Sequence, residues 1–175
     1  MTEPLQEGPR TTGPSRRPLV ALGTVVALLA LVAVALAAVL LSRLADRSAL
    51  DEAREDALRA GRQAVVNLDS ISAATVDRDM DRVVAAATGT FKEQFTRSRE
   101  DLKQAIVANA TESSGRVISA GVVSADEASA TLLVAADRTI KDRTNPEAQV
   151  VHDRWRVYLE KRDGKWLVEK LDPVG

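Results

Sequence analysis

Apolar and polar positions divide the chain into three regimes. From Leu19 to Leu41 no charged residue interrupts the sequence. About 23 such residues in a helix rise roughly 35 Å, enough to cross a hydrocarbon core of about 30 Å. Beyond it, Leu50, Ala53, Ala57, Ala64, Val65 and Leu68 recur at three- and four-residue steps between charged positions. That spacing predicts an amphipathic helix with a narrow, Ala-rich stripe, which either packs on the domain or pairs with a partner helix. Gly61 weakens the pattern without ending it.

Asp69-Ser70-Ile71-Ser72 breaks the period, and a second helix is expected near Asp77–Ala87 with Met80, Val83, Val84 and Ala87 on its apolar face. Thr88-Gly89-Thr90 reads as a stop and restart. Thr90-Phe91-Lys92-Glu93 fits a capping box, so a third helix should bury Phe91, Phe95, Leu102 and Ile106 and end near Ala108–Thr111.

From Gly115 the period changes to two. Arg116–Ser124, Ala128–Asp137 and Val150–Lys161 read as strands, and Asp163-Gly164 is a two-residue hairpin signal. Register set from that turn puts Leu159 opposite Val168 and Lys161 opposite Trp166. Trp155, Val157, Leu159, Trp166 and Val168 then share the core face, leaving His152, Arg154, Arg156 and Tyr158 outside. Helices followed by about four antiparallel strands predict an α+β fold with helices on one face of a curved sheet. The expected layout is a disordered tail at 1–18, a transmembrane helix at 19–41, a stalk helix at 42–70 and a roll domain at 71–175.

Three readings compete at the N-terminus. Ser15-Arg16-Arg17 before an apolar run resembles a twin-arginine signal, and Ala33-Val34-Ala35 and Ala35-Leu36-Ala37 resemble signal-peptidase sites. The apolar run continues past those triplets with no polar segment before them, which favours an uncleaved anchor. Arg10, Arg16 and Arg17 flank one end and Arg43, Arg47, Arg54 and Arg59 the other, so the positive-inside count alone does not choose an orientation. The short tail and the acidic dilution beyond the span lean the domain outward.

The net charge of −1, with both signs interleaved, disfavours a nucleic-acid surface. Absence of Cys excludes thiol chemistry and Cys-based metal sites. Asp77, Asp79 and Asp81 have the alternation that opens a calcium loop. However, Arg82 and Thr88 stand where Gly and a bidentate Glu are needed, and carboxylates at an exposed helix start explain the run. The single histidine, His152, lies away from the tryptophan face, and a two-histidine zinc site cannot be built. The sequence contains no catalytic constellation, so no catalytic, cofactor or metal-ligating residue is expected.

Leu68-Asp-Ser-Ile-Ser72, Asp77-Arg-Asp-Met-Asp-Arg-Val83, Thr88-Gly-Thr-Phe-Lys-Glu-Gln-Phe95 and the terminal Asp-Gly-Lys-Trp166 hairpin follow the Arg-containing tail and single span. Together they resemble the Mce-associated membrane proteins of actinobacteria. The resemblance implies an anchored accessory subunit of an Mce lipid-import system, acting with Mce transporter subunits in the cell envelope. It also implies a cone-shaped, cystatin-like roll, similar to nuclear transport factor two-like proteins and to a type IV secretion scaffold domain. On that reading the protein is a non-enzymatic scaffold that uses Arg154, Arg156 and Tyr158, or the stalk helix, to bind its partner. The alternatives are a secretion-scaffold-like assembly subunit, or a ligand-binding or enzymatic roll. The last would have a pocket lined by Phe91, Phe95, Trp155 and Trp166, with a buried carboxylate or the histidine, whereas direct lipid contact goes with the Mce-type reading.

Overall fold

The computed structural model describes the backbone of residues 17–175, with side chains at 31, 33–40 and 47–175. Most of the expected tail therefore lies outside the described residues, as do many side chains of the expected span. The backbone at 19–41 is helical, within α1 (Arg17–Asp69). Among the described residues no helix is long and apolar enough to cross a membrane. The chain divides into two units, Met1–Ala45 and Asp46–Gly175. What was read as a stalk thus belongs, from Asp46 onward, to the folded domain.

In that domain the end of α1 is followed by a short 3-10 turn (Ala73–Thr75), α2 (Val76–Ala85), α3 (Gly89–Ala108) and four strands. The strands are β1 (Glu112–Ala125), β2 (Ser129–Lys141), β3 (Gln149–Arg162) and β4 (Lys165–Pro173), paired antiparallel in the order β1-β2-β3-β4. The fold is α+β, with helices on one face of an open sheet.

The hairpin has the register read from its turn: Leu159 faces Val168 and Lys161 faces Trp166. Asp163 and Gly164 both have positive φ, at 50° and 76°, as a type I′ turn demands. Along β2, Ala130, Leu132, Val134 and Ala136 point inward and are buried, opposite Leu159, Val157, Trp155 and Asp153 of β3. Ala53, Ala57, Ala64 and Val65 of α1 pack into this layer. Fully burying each Leu or Val there contributes roughly 1.5–3 kcal/mol. A second core holds Ile71, Val76, Met80, Val83, Phe95 and Ile106 between α2, α3 and the end of α1.

Four expectations are corrected. Gly61 is a contact rather than a weak point: a Cβ there would lie 2.4 Å from Leu132 Cδ1, so its absence lets helix and sheet approach closely. The capping box does not form. Thr88 is the N-cap with no side-chain cap bond, its N–H donates to the Val168 carbonyl (2.8 Å), and the Thr90 hydroxyl donates to the Glu169 carbonyl (3.1 Å). Docking onto β4 has replaced local capping. Leu102 is not in the core but 36% exposed.

The Asp run, lastly, is not a uniformly exposed helix start. Asp77 and Asp81 reach Lys103 and Arg99 of α3 (2.6 and 2.7 Å), whereas Asp79 is buried. Burial works against the Asp79 charge, yet hydrogen bonds from Thr75 and the Ser72 N–H, with Arg82 and Arg78 nearby, hold its carboxyl below the usual range. Its Oδ1 meets Arg82 at 2.9 Å as an ion pair without hydrogen-bond alignment.

Asp79 thereby anchors the link from α1 to α2, and that link is sewn to β1. Ser72 Oγ accepts from the Ser113 N–H and donates to the Ser113 carbonyl, Ser70 Oγ accepts from the Gly115 N–H, and Ser113 Oγ donates to the Asp69 carbonyl. A Cβ on Gly115 would sit 2.4 Å from Asp69 Cβ and 3.3 Å from its Cα. Gly115→Ala should cost about 1–3 kcal/mol, because the neighbour includes backbone. Gly61→Ala should cost less, since the flexible tip of Leu132 can shift and Ala gains about 1 kcal/mol of helix propensity. Urea denaturation of both variants checks that order.

Candidate functional site

Two regions concentrate chemistry, one on each face of the sheet. On the outer face, Arg154 and Arg156 are exposed, and half-buried Tyr158 lies beside them on alternate positions of β3. The sequence placed these three side chains together, and the strand period does so. Lys170 lies over the Tyr158 ring at 5.2 Å and pairs with Asp172 at 2.6 Å. Asp137 is engaged by His152 (2.7 Å) and Arg116 (3.7 Å). The acids nearest this face thus already have cations, while Arg154 and Arg156 have no ion-pair partner among the described residues. Leu133 opposite Arg156 and Val150 opposite Thr139 add exposed apolar surface, at 43% and 54%.

On the inner face a cavity of about 400 Å³ opens where the helices stop covering the sheet. Its walls include Leu68, Ile71, Leu102, Ile106, Ile140 and Trp155, and its polar side holds Asp69, Arg138 and Asp153. Arg138 Nε donates to Asp153 Oδ2 at 3.1 Å, diagonally across β2 and β3. Asp69 is the last residue of α1 and only 2% exposed, and its Oδ2 has no hydrogen-bond donor. The indole nitrogen of Trp155 is likewise buried without an acceptor. Each such orphan costs about 1–3 kcal/mol. Burial pushes the Asp69 carboxyl up to about 6; the Asp153 charge adds to this and Arg138 opposes it.

Of the four aromatics expected to line one pocket, Trp155 borders this cavity, and Trp166 instead lines a shallow groove with Arg59, Ala60 and Ala86. Phe91 and Phe95 pack on each other, ring centroids 6.1 Å apart, in the helical core. Trp166 lies at the other end of the inner face under Lys161, whose Nζ is 5.7 Å from the ring centroid. A buried carboxylate does border the cavity, as that reading required, but sequence reasoning did not single out Asp69. The signal was present: an anion ends a helix, where the macrodipole disfavours it. Arg138 and Asp153 could have been found as the point where the inward apolar alternation of β2 and β3 fails.

Residues 19–175 match the family described as "Uncharacterized protein Rv1363c/MT1408-like". The chain belongs to that family. Rv1363c of Mycobacterium tuberculosis is 26% identical over 122 residues, 69% of this chain. The match covers 47% of Rv1363c, so this chain spans about half the length of that relative. Among solved structures, the periplasmic domain of DotI is similar with a TM-score of 0.56 and 10% identity, over 67% of this chain and 91% of that one. An IcmL-like type IV secretion protein from Legionella pneumophila gives 0.57 and 10%, over 70% and 94%. CagV, a VirB8 homologue from Helicobacter pylori, gives 0.54 and 10%, over 67% and 95%. At such identities the likeness is one of fold. The Rv1363c-like chain therefore carries a roll of the VirB8 type, and Mce association is not among these findings.

Asp69 makes stability pH-dependent in a defined direction. Between the ordinary carboxylate value of 3.8 and about 6, the folded chain keeps a proton that the unfolded chain has released. Its contribution to stability therefore falls as pH rises through that window. Asp69→Asn should stabilise by on the order of 1–2 kcal/mol above about pH 7 and by nothing near pH 4, read as the difference in Tm from the parent across pH.

Proposed function

We propose that this Rv1363c-like protein is a non-enzymatic, membrane-tethered assembly subunit whose roll domain binds a partner through the outer face of its sheet. The observation carrying the reading is that face itself. It has two arginines without ion-pair partners among the described residues, a tyrosine between sheet and solvent, and apolar side chains beside them. Arg and Tyr are enriched at protein interfaces, and unpaired guanidinium groups select an acidic counter-surface. The fold shared with type IV secretion domains supports an assembly role over catalysis.

Tethering is supported by the helix before the domain. Every described side chain from 31 to 40 is apolar and exposed. A helix apolar all round requires a non-aqueous surrounding, and a bilayer at 19–41 supplies one. The solved domains of this fold that are described as periplasmic favour an extracytoplasmic location here.

The finer reading is an accessory subunit of an Mce-type lipid-import complex, supported by the resemblance over Leu68–Ser72 and Thr88–Phe95. A secretion-type assembly is the second reading, favoured by the fold comparisons. The full chain should remain in membranes after alkaline washing. A photo-reactive residue at Tyr158 should cross-link to an envelope transport subunit, and the identity of that subunit distinguishes the two complexes. Arg154→Glu with Arg156→Glu should reduce co-purification by about tenfold or more while Tm stays within about 2 °C. Recovery from the soluble fraction, or undiminished co-purification, rejects the proposal.

A further inference from the structure

Resting on the partner-binding reading of the outer sheet face, we propose that this face docks one amphipathic helix of the partner. The helix seats its apolar stripe over β1 and β2 and its acidic flank on Arg154 and Arg156.

Two irregularities in β1 create the apolar half of this surface. Val117, Ala120 and Ala125 pack toward the core, and Val122 stands opposite buried Leu132. In a regular strand one residue separates successive inward positions. Between Val117 and Ala120, and again between Val122 and Ala125, the register shifts and two residues stand there. Ile118 and Val123 are the extra ones, unpaired and turned off the core face, 54% and 60% exposed. Bulges re-aim side chains in this way. Exposed Leu133 lies between them in register, opposite Gly121. Ser119, Gly121, Leu133, Ala135, Arg154 and Val174 line a hollow of about 260 Å³ there. Small-molecule sites run to about 300–1,000 Å³, so this one suits a single aliphatic side chain of the partner.

Backbone chemistry makes the occupant a helix. The main-chain donors and acceptors of a paired sheet lie in its plane, so a segment resting on the face must satisfy its own. Ile118 and Val123 are about 15 Å apart along β1, or about three turns of helix. From β1 to β3 is about 10 Å, the width of one helix with its side chains.

Charge sets the flank. Arg154 and Arg156 stand about 6.6 Å apart along β3, and carboxylates four residues apart on a helix are separated by a rise of about 6 Å. Neither arginine has an ion-pair partner among the described residues, whereas Asp172, opposite Arg156, is taken by Lys170 at 2.6 Å. A bilayer surface fits less well. Trp155 and Trp166, of the type that anchors proteins at lipid interfaces, belong to the inner face, and Asp137 and Asp172 interrupt the cations outside. A second copy would set one basic face against another.

The test places a photo-reactive residue at Ile118, at Val123 and at Tyr158 of the full chain in its own cells, and locates the attached residues by mass spectrometry. All three positions should attach to one segment of one protein. The residues reached from Ile118 and Val123 should fall three, four or seven apart, with Asp or Glu beside them. Ile118→Thr with Val123→Thr, which keeps β-branching at exposed positions, should lower the Tyr158 adduct about fivefold or more while Tm stays within about 2 °C. The loss caused by Arg154→Glu with Arg156→Glu should be recovered when the flanking acids of the mapped helix are exchanged for Lys. Adducts to lipid or to a second copy overturn the proposal, as does a segment without helical spacing or without acids. A Tyr158 adduct unaccompanied by any from Ile118 and Val123 overturns it while the partner reading stands, and no adduct at any position overturns both. Should the Thr variant not fold, the adduct map and the charge exchange decide.

Discussion

How closely α1 lies against the sheet is the constraint on which the rest of the domain depends. Ala53, Ala57, Gly61 and Ala64 present almost no side-chain bulk, so Leu132 and Leu159 fill the space a larger stripe would have taken. A helix held this close buries few atoms of its own, and the β-branched and Leu side chains of the sheet supply most of the apolar contact. It also fixes where the helix ends. Asp69 comes down directly over Gly115, with backbone and Cβ in contact range of where a side chain would otherwise be. A burdened carboxylate is the result of that geometry: the helix terminus brings an anion into a place neither dipole nor dielectric favours.

The two faces of the sheet then divide the work. Inside, apolar alternation runs from Ala130 to Ala136 and gives way to Arg138, so the core turns into a polar-ended cavity within one strand. Outside, the same alternation exposes Arg154 and Arg156 with no acid assigned to them. Because the strand period is two, one β3 carries a solvent-facing basic surface and the wall of an internal cavity without either set of residues constraining the other.

Much of this was legible in the sequence because it depends on short-range rules. Asp163-Gly164 fixes a turn, the turn fixes the register, and the register places Trp155, Val157, Leu159, Trp166 and Val168 on one side. What was illegible depends on long-range contacts. Thr88 and Thr90 look like local capping residues, yet their hydrogen bonds go to Val168 and Glu169, about eighty positions away in sequence. Asp79 is the local exception: its partners Ser72 and Thr75 lie only seven and four positions away, yet it looks in sequence like its neighbours Asp77 and Asp81. Gly61 reads as a defect in a helix until the residue across from it is known. The four aromatics do not share one cavity for the same reason: Phe91, Phe95, Trp155 and Trp166 lie on elements whose order predicts a shared layer but not a shared cavity.

Both margins of the sheet are occupied in part. Along β4, the Ala86 carbonyl and Thr88 N–H take the main-chain groups of Val168. Along β1, the hydroxyls of Ser70 and Ser72 take those of Gly115 and Ser113, and irregularities after Val117 and Val122 break the spacing beyond. At these positions a foreign strand meets main-chain groups that are already taken or out of step. Between copies of the domain, strand-to-strand zipping is thereby disfavoured at those positions, and contact through the faces is favoured.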